Sequence, residues 1–175
     1  MIINERENRE SRALEVANLM ATAARTAPKG RGWDLIEVAL VKGSKIKELA
    51  KEMESMEYRG GSYSFERDAQ NILQAQCVLI IGIKQKVLAL NCGHCGYINC
   101  ADKPKIAPCA MNAIDVGIAV GSACATAADN RVDTRVMFSA GLAAQKLDYL
   151  PGSTLITAIP VSISSKSPFF DRVVK

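Results

Sequence analysis

The stretch Asn91 to Cys109, NCGHCGYINCADKPKIAPC, constrains this chain more than any other. Four of the six cysteines, Cys92, Cys95, Cys100 and Cys109, fall within it at C-x2-C-x4-C-x8-C spacing. Gly93, Gly96, Pro104 and Pro108 lie between them, and these are residues of tight turns, not of helix interiors. Thiolates crowded into one loop repel each other unless a cation holds them. The two common cations are an iron–sulfur cluster and a zinc ion. The rest of the chain must then supply a scaffold for a turn-rich metal loop at residues 91–109.

The spacing separates the two metals. A [4Fe–4S] cluster takes four cysteines, often three close together and one more distant, and x2, x4, x8 has that asymmetry. Zinc sites more often pair two C-x2-C knuckles, and only one such pair is present. Gly93 and Gly96 let backbone N–H groups turn toward sulfur, which helps hold a charged cluster. We therefore expect a 4Fe-4S cluster on Cys92, Cys95, Cys100 and Cys109, with zinc as the alternative. Cys124 is the other candidate for the fourth ligand. His94, the one histidine, is expected beyond the ligands or facing solvent.

Composition bounds the scaffold. With 175 residues and 49% apolar content, the chain suffices for one domain with a real core, spanning 1–175. The net charge is 22 − 18 = +4 with scattered basic residues, so no nucleic-acid partner is expected. The first residues, MIINERENRESR, are charged and lack the apolar core of a signal peptide. Six cysteines without an export signal point to metal or redox chemistry in a cytoplasmic setting. The longest weakly charged run, Val116 to Ala128, has 13 residues. A membrane span needs about 20, so no membrane partner is expected.

Periodicity supplies the elements. Ala13, Val16, Ala17, Met20 and Ala24 make one apolar stripe on a helix from Glu10 to Ala27. Leu35–Val41 reads as a buried strand. Ser44 is placed to N-cap a helix to Met56. Tyr58–Phe65 reads as loop, and Glu66–Ala75 as a short helix. Cys77–Ile83 is a second buried strand, with Cys77 a small core residue. Ala110–Asp129 is apolar almost all round and is expected to be a central buried helix. Its Gly117, Gly121 and Ala125 are spaced for close approach of a second helix, a partner subunit or a flat cofactor, helix packing being expected. Asp115 is placed to meet a cofactor or, as expected, to cap its own helix. Asn130–Arg135 reads as a polar turn. Phe138–Leu147 is a further helix, and Thr154–Ile163 a third strand in which Pro160 hints at an edge or bulge. Phe169 and Phe170 need burial, against the chain itself or a second subunit. The order makes an α+β three-layer domain with the metal loop inserted after the second strand.

One turn invites a ligand. Pro28, Gly30 and Gly32 end the first helix, and Arg25, Lys29 and Arg31 give the turn positive charge. It reads either as an anion-binding turn or as a solvated helix C-terminus where cations suit the dipole.

Several motifs also resemble a known family. NCGHCGYINC, APCAMNAIDVGIAVGSA, VDTRVMFSAGLAAQKL and the terminal FFDR, with ARTAPKGRGWD and ERDAQN, resemble uncharacterised ferredoxin-domain-containing proteins over nearly the whole chain. The resemblance implies a nitroreductase-like three-layer sandwich with a cysteine-rich 4Fe-4S loop insertion, a homodimer, and FMN. Nitroreductases hold the flavin phosphate with an N-terminal arginine motif, which ENRESR (Glu7–Arg12) loosely matches. They carry a small polar turn where this chain has Ala27-Pro28-Lys29-Gly30, with lysine for serine and no asparagine. A C-terminal base near the phosphate maps to Lys166 or Arg172. The expected cofactor contacts are thus Arg25, Lys29, Gly30, Lys166 and Arg172. Three functions stay open: an FMN-dependent oxidoreductase relaying single electrons through the cluster, a ferredoxin-like carrier or redox sensor, and a structural zinc protein. No residue stands out as a nucleophile or acid–base pair, and the redox partner is unnamed.

Overall fold

The computed structural model describes residues 1–56 and 63–170. It begins with helix α1 (Glu5–Thr26), five residues before the expected start at Glu10. The Asn4 side chain accepts the Arg6 N–H, and Glu5 and Glu7 in the first turn suit the positive end of the dipole. Ala13, Val16, Ala17, Met20 and Ala24 are all buried, so the stripe packs as its spacing requires.

Four strands form one antiparallel sheet: β1 (Ile36–Val41), β2 (Cys77–Lys84), β3 (Asp133–Thr134) and β4 (Ser153–Ser162), in the order β1-β2-β4-β3. Strand β2 is central and buried along its length except for Lys84. Its side chains alternate between two cores, as the pleat dictates. Cys77, Leu79, Ile81 and Ile83 face α1 and α4 (Ala110–Asp129). Val78 and Ile80 face α2 (Ser44–Glu54), α3 (Tyr63–Ile72) and α5 (Phe138–Lys146). The result is a three-layer α+β sandwich.

Several expectations change. Strand β1 is an edge strand and only half-buried between its ends, because it has a neighbour on one side alone. Gly43, at φ 59°, precedes α2; Ser44 is its first helical residue and makes no capping bond. Helix α3 starts at Tyr63, earlier than expected, and the remainder of the expected 58–65 loop lies outside the described residues. Asp133 and Thr134, read as turn, pair with Ser162 and Val161. Strand β4 is interior. Pro160 sits opposite Val78 on β2, and its missing N–H belongs to the side where β3 covers only two residues. The bulge falls elsewhere, at Leu155 (φ 52°), opposite the Ile81–Ile83 step of β2.

Helix α4 has the expected bounds but not the expected burial. Its inner face is Asn112, Asp115, Val116, Ala119, Ala123 and Ala127. Ile114, Gly117, Ile118 and Gly121 are exposed, and a Cβ built on either glycine would meet nothing within 4 Å. Their spacing therefore serves no packing among the described residues. By length and composition α4 could cross a membrane, yet its inner face, with the buried Asp115, packs on α1 and the sheet.

Candidate metal centre and the adjoining cleft

The thiol loop is tied to the core before its first cysteine. Beyond β2, the Lys86 N–H donates to Asn112 Oδ1 of α4 at 3.1 Å, and the Arg31 guanidinium donates to the Leu88 carbonyl at 2.8 Å. Leu88 itself is fully buried. The backbone then winds through left-handed conformations at Ala89 (φ 52°), Asn91 (48°), Gly93 (73°) and Gly96 (85°). The Gly96 N–H closes on the Gly93 carbonyl at 2.8 Å, so the G-H-C-G step that carries Cys95 is one tight turn.

Asn91 clasps the loop shut. Its side-chain oxygen accepts the Cys100 N–H at 2.8 Å, and its own N–H points at Cys100 Sγ, 3.3 Å away. An amide aimed at sulfur is the type of contact that holds thiolate charge. Cys100 opens a single helical turn (Cys100–Asp102). At the far end Cys109 is the N-cap of α4, buried, with its sulfur at the positive end of a 20-residue helix. Between them Lys103 is only 8% exposed; its ammonium is held by the carbonyls of Pro104 (3.1 Å) and Ala107. Cys92 is exposed, and Cys95 and Cys100 are half-buried. His94 is exposed and bonds only the Cys92 carbonyl oxygen at 3.0 Å among described residues.

These parts fit a thiolate-bound metal in donor type and number. An orphan supports the fit: Asn112, fully buried under the loop, has an amide nitrogen with no partner among the described residues. Among the same residues, however, no three Cys, His, Asp or Glu side chains already form a metal cage. The four thiols share one short stretch of chain without forming a closed cage among the described residues.

The basic turn is differently arranged. Arg25 bonds Asp34 at 2.7 Å and the Ile36 carbonyl. The Lys29 ammonium is held by the carbonyls of Arg25 and Ala27, the latter at 2.8 Å. The Gly30 N–H donates to Asp115 Oδ1 at 2.9 Å, so Asp115 caps this turn and not its own helix. A Cβ at Gly30 would lie 2.6 Å from Leu88 Cδ1, so the turn is packed against its own chain. Lys166 is exposed on a turn closed by Ser164, and Arg172 lies outside the described residues. No described bond joins Lys166 to the Arg25–Gly30 turn.

A cleft opens beside the loop, along the Gly117 side of α4 where the small-residue spacing admitted a flat cofactor. It holds about 670 Å³ between α4 and α5, floored by the β4 bulge, and Ile106 and Pro108 of the loop form one wall. Its lining is mostly apolar and includes Gly117, Val120 and Phe138; among the described residues no Lys or Arg contributes. The buried Thr154 hydroxyl on its floor has no described partner. The one sequence trace of this cleft is Gly117, which leaves α4 flat there.

The other two thiols stand apart from the loop. Burial pushes Cys77 up to about 12, with Glu10 adding to the rise, and burial also raises Cys124.

The fold defines the class. A nitroreductase with bound FMN from Desulfitobacterium hafniense superposes with a TM-score of 0.58 at 19% identity, over 87% of this chain and 78% of that one. A nitroreductase family protein from Clostridium novyi gives 0.54 at 14% identity, over 98% and 79%. The NADPH:FMN oxidoreductase of Vibrio harveyi gives 0.56 at 13%, over 92% and 64%. The protein thus has a nitroreductase-like α+β fold, here carrying a thiol loop.

Within that class, the chain belongs to the family described as uncharacterised proteins containing a ferredoxin domain (DUF2148). The family model matches residues 106–172, and an uncharacterised protein of Archaeoglobus fulgidus is 37% identical over the full length of both chains. The family match begins after Cys100, so the first three thiols of the loop lie outside it.

Proposed function

We propose that this protein is a [4Fe–4S] redox protein whose cluster is held by Cys92, Cys95, Cys100 and Cys109. One observation carries the reading: the Asn91 clasp, which sets one amide on the Cys100 sulfur and binds the loop's start to its third thiol. Bound there, a cluster supplies one-electron transfer. The chain's part is to anchor the loop on β2 and α4, to place Cys109 at a helix N-terminus, and to keep a buried ammonium at Lys103. Free thiols at all six described cysteines suit a reducing compartment.

The test is anaerobic purification followed by iron, sulfide, zinc and flavin analysis. The expected result is brown protein with about four iron and four sulfide per chain. Cys109→Ser should lose the metal, and Cys124→Ser should keep it. Colourless protein with one zinc would make the loop a structural staple instead.

A flavin is the second reading, favoured by the apolar cleft whose wall is the loop's own Ile106 and Pro108. Its volume and lining suit a flat ring. FMN supplies hydride and single-electron chemistry when bound. Arg25, Lys29 and Gly30 do not line the cleft, and each already makes hydrogen bonds within the chain. The phosphate would then fall to Lys166, Arg172 or a second copy of the chain. A homodimer through the exposed face of α4 belongs to the same proposal, since Gly117 lines that cleft and Ile114 and Ile118 on the same helix are exposed. Flavin released on denaturation would support this reading, and its absence after reconstitution would remove it.

A further inference from the structure

The outer surface of the thiol loop has its own composition. Val87, Leu90, Tyr97, Ile98 and Ile106 are all exposed, Ile98 at 84% and Ile106 at 93%. Around them the charge is one-sided. From Lys84 to Cys109 there are four lysines and one acid, Asp102. Asp102 accepts a bond from Asn99 at 3.1 Å.

Beside this run sits Trp33, the chain's one tryptophan, half-buried between two cations. The Arg31 guanidinium lies 4.8 Å from its ring centroid, and the Lys86 ammonium lies 4.1 Å from it. Each cation–π contact fixes a charge without neutralising it. Nearby acids are occupied elsewhere, Asp34 by Arg25 at 2.7 Å and Glu37 by Lys84 at 2.9 Å. Arg31, Lys86 and Lys105 make no salt bridge among the described residues. The Gln85 amide reaches the Ala107 carbonyl at 3.3 Å, which draws the Lys86 and Lys105 stretches together.

We propose that this surface docks a small acidic protein of the electron-carrier class, with Ile98 and Ile106 at its apolar centre and Arg31, Lys86 and Lys105 as its cationic rim. The pattern is that of a weak, fast encounter. A small apolar centre over the redox loop gives contact, and unneutralised like charges steer an opposite partner and make binding salt-sensitive. Fixing Arg31 and Lys86 on the indole ring lowers the entropy cost of presenting them. The docking proposal rests on the redox reading of the loop, and the two fail separately.

The test uses the full chain, anaerobically purified, with an acidic plant-type ferredoxin as probe and basic cytochrome c as control. Binding is measured by calorimetry at low and high salt, with iron and sulfide assayed on the same samples. The expected result is ferredoxin binding that weakens by at least about tenfold between 0.01 M and roughly 0.15 M salt, where the Debye length falls from about 30 to about 8 Å. Lys86→Glu/Lys105→Glu and Ile98→Ser should each weaken it several-fold with unchanged metal content and thermal midpoint. Lys47→Glu/Lys51→Glu, on α2 across the sheet, should leave it intact. Equal loss in the α2 variant, equal binding of cytochrome c, or no ferredoxin binding with the cluster intact would overturn the docking proposal. So would a change of oligomeric state in the Lys86/Lys105 variant, which would make the patch an interface between copies. Ferredoxin binding by protein lacking iron and sulfide would keep the surface and remove the cluster reading.

Discussion

Among the described glycines, Gly141 sits closest to a neighbouring backbone. A Cβ there would lie 2.0 Å from the Ile156 carbonyl oxygen, where α5 crosses β4. The neighbour is backbone, so no rotamer change relieves the clash. Gly141→Ala should therefore destabilise the protein by about 1–3 kcal/mol or more, read as a lower urea midpoint. Cys77 makes a different prediction. Burial in the native state raises its pKa from 9.0 to about 12, so the folded protein keeps a proton that the unfolded chain gives up. The resulting stability is fully present below about pH 9 and is lost as pH rises toward 12. Cys77→Ala should flatten that alkaline fall in denaturant titrations, and alkylation should reach Cys92 well before Cys77. The core role of Cys77 was legible, because a cysteine inside CVLIIGI has apolar neighbours on both sides. The partner of Asp115 was not. Gly30 lies 85 residues away, and no local pattern records that hydrogen bond.

At the scale of elements, α1 and α4 show what periodicity carries. All five stripe residues of α1 are buried because they lie on one face, which packs on α4 and the sheet, while Leu19 off that face stays exposed. In α4 the apolar residues go round the helix, so the sequence fixes its existence and bounds but not which side the chain covers. The expectation of full burial failed there. The thiol loop repeats the lesson. Its cysteine spacing is local and could be read directly. The Asn91 clasp, the buried Lys103 and the orphan Asn112 amide depend on folded geometry. Asn91→Ala offers a test at this scale. It removes both the side-chain acceptor for the Cys100 N–H and a residue that tolerates φ 48°. The expected outcome is faster loss of iron to a chelator with little change in the helical circular dichroism of the apo chain.

For the whole molecule, the open question is what covers α4. Ile114 and Ile118 are 41% and 39% exposed, and Val136 and Phe138 beside the cleft are each 50% exposed. An apolar band of this kind on a folded domain marks an interaction surface. A second copy is the simplest occupant, because a two-fold pairing lays the same stripe against itself. Gly117 and Gly121 then have a purpose: with no Cβ, two α4 backbones can approach closely. Gly117→Glu should convert a dimer to a monomer in sedimentation velocity. Its site is open to solvent in one chain, and glutamate favours helix more than glycine, so the thermal midpoint of the monomer should hold. The cleft gives the same variant a second readout, since Gly117 lines it. If flavin sits there between copies, the monomer should lose it. A wild-type protein that sediments as a monomer at high concentration would end the dimer reading, and the exposed face of α4 would then need a different partner.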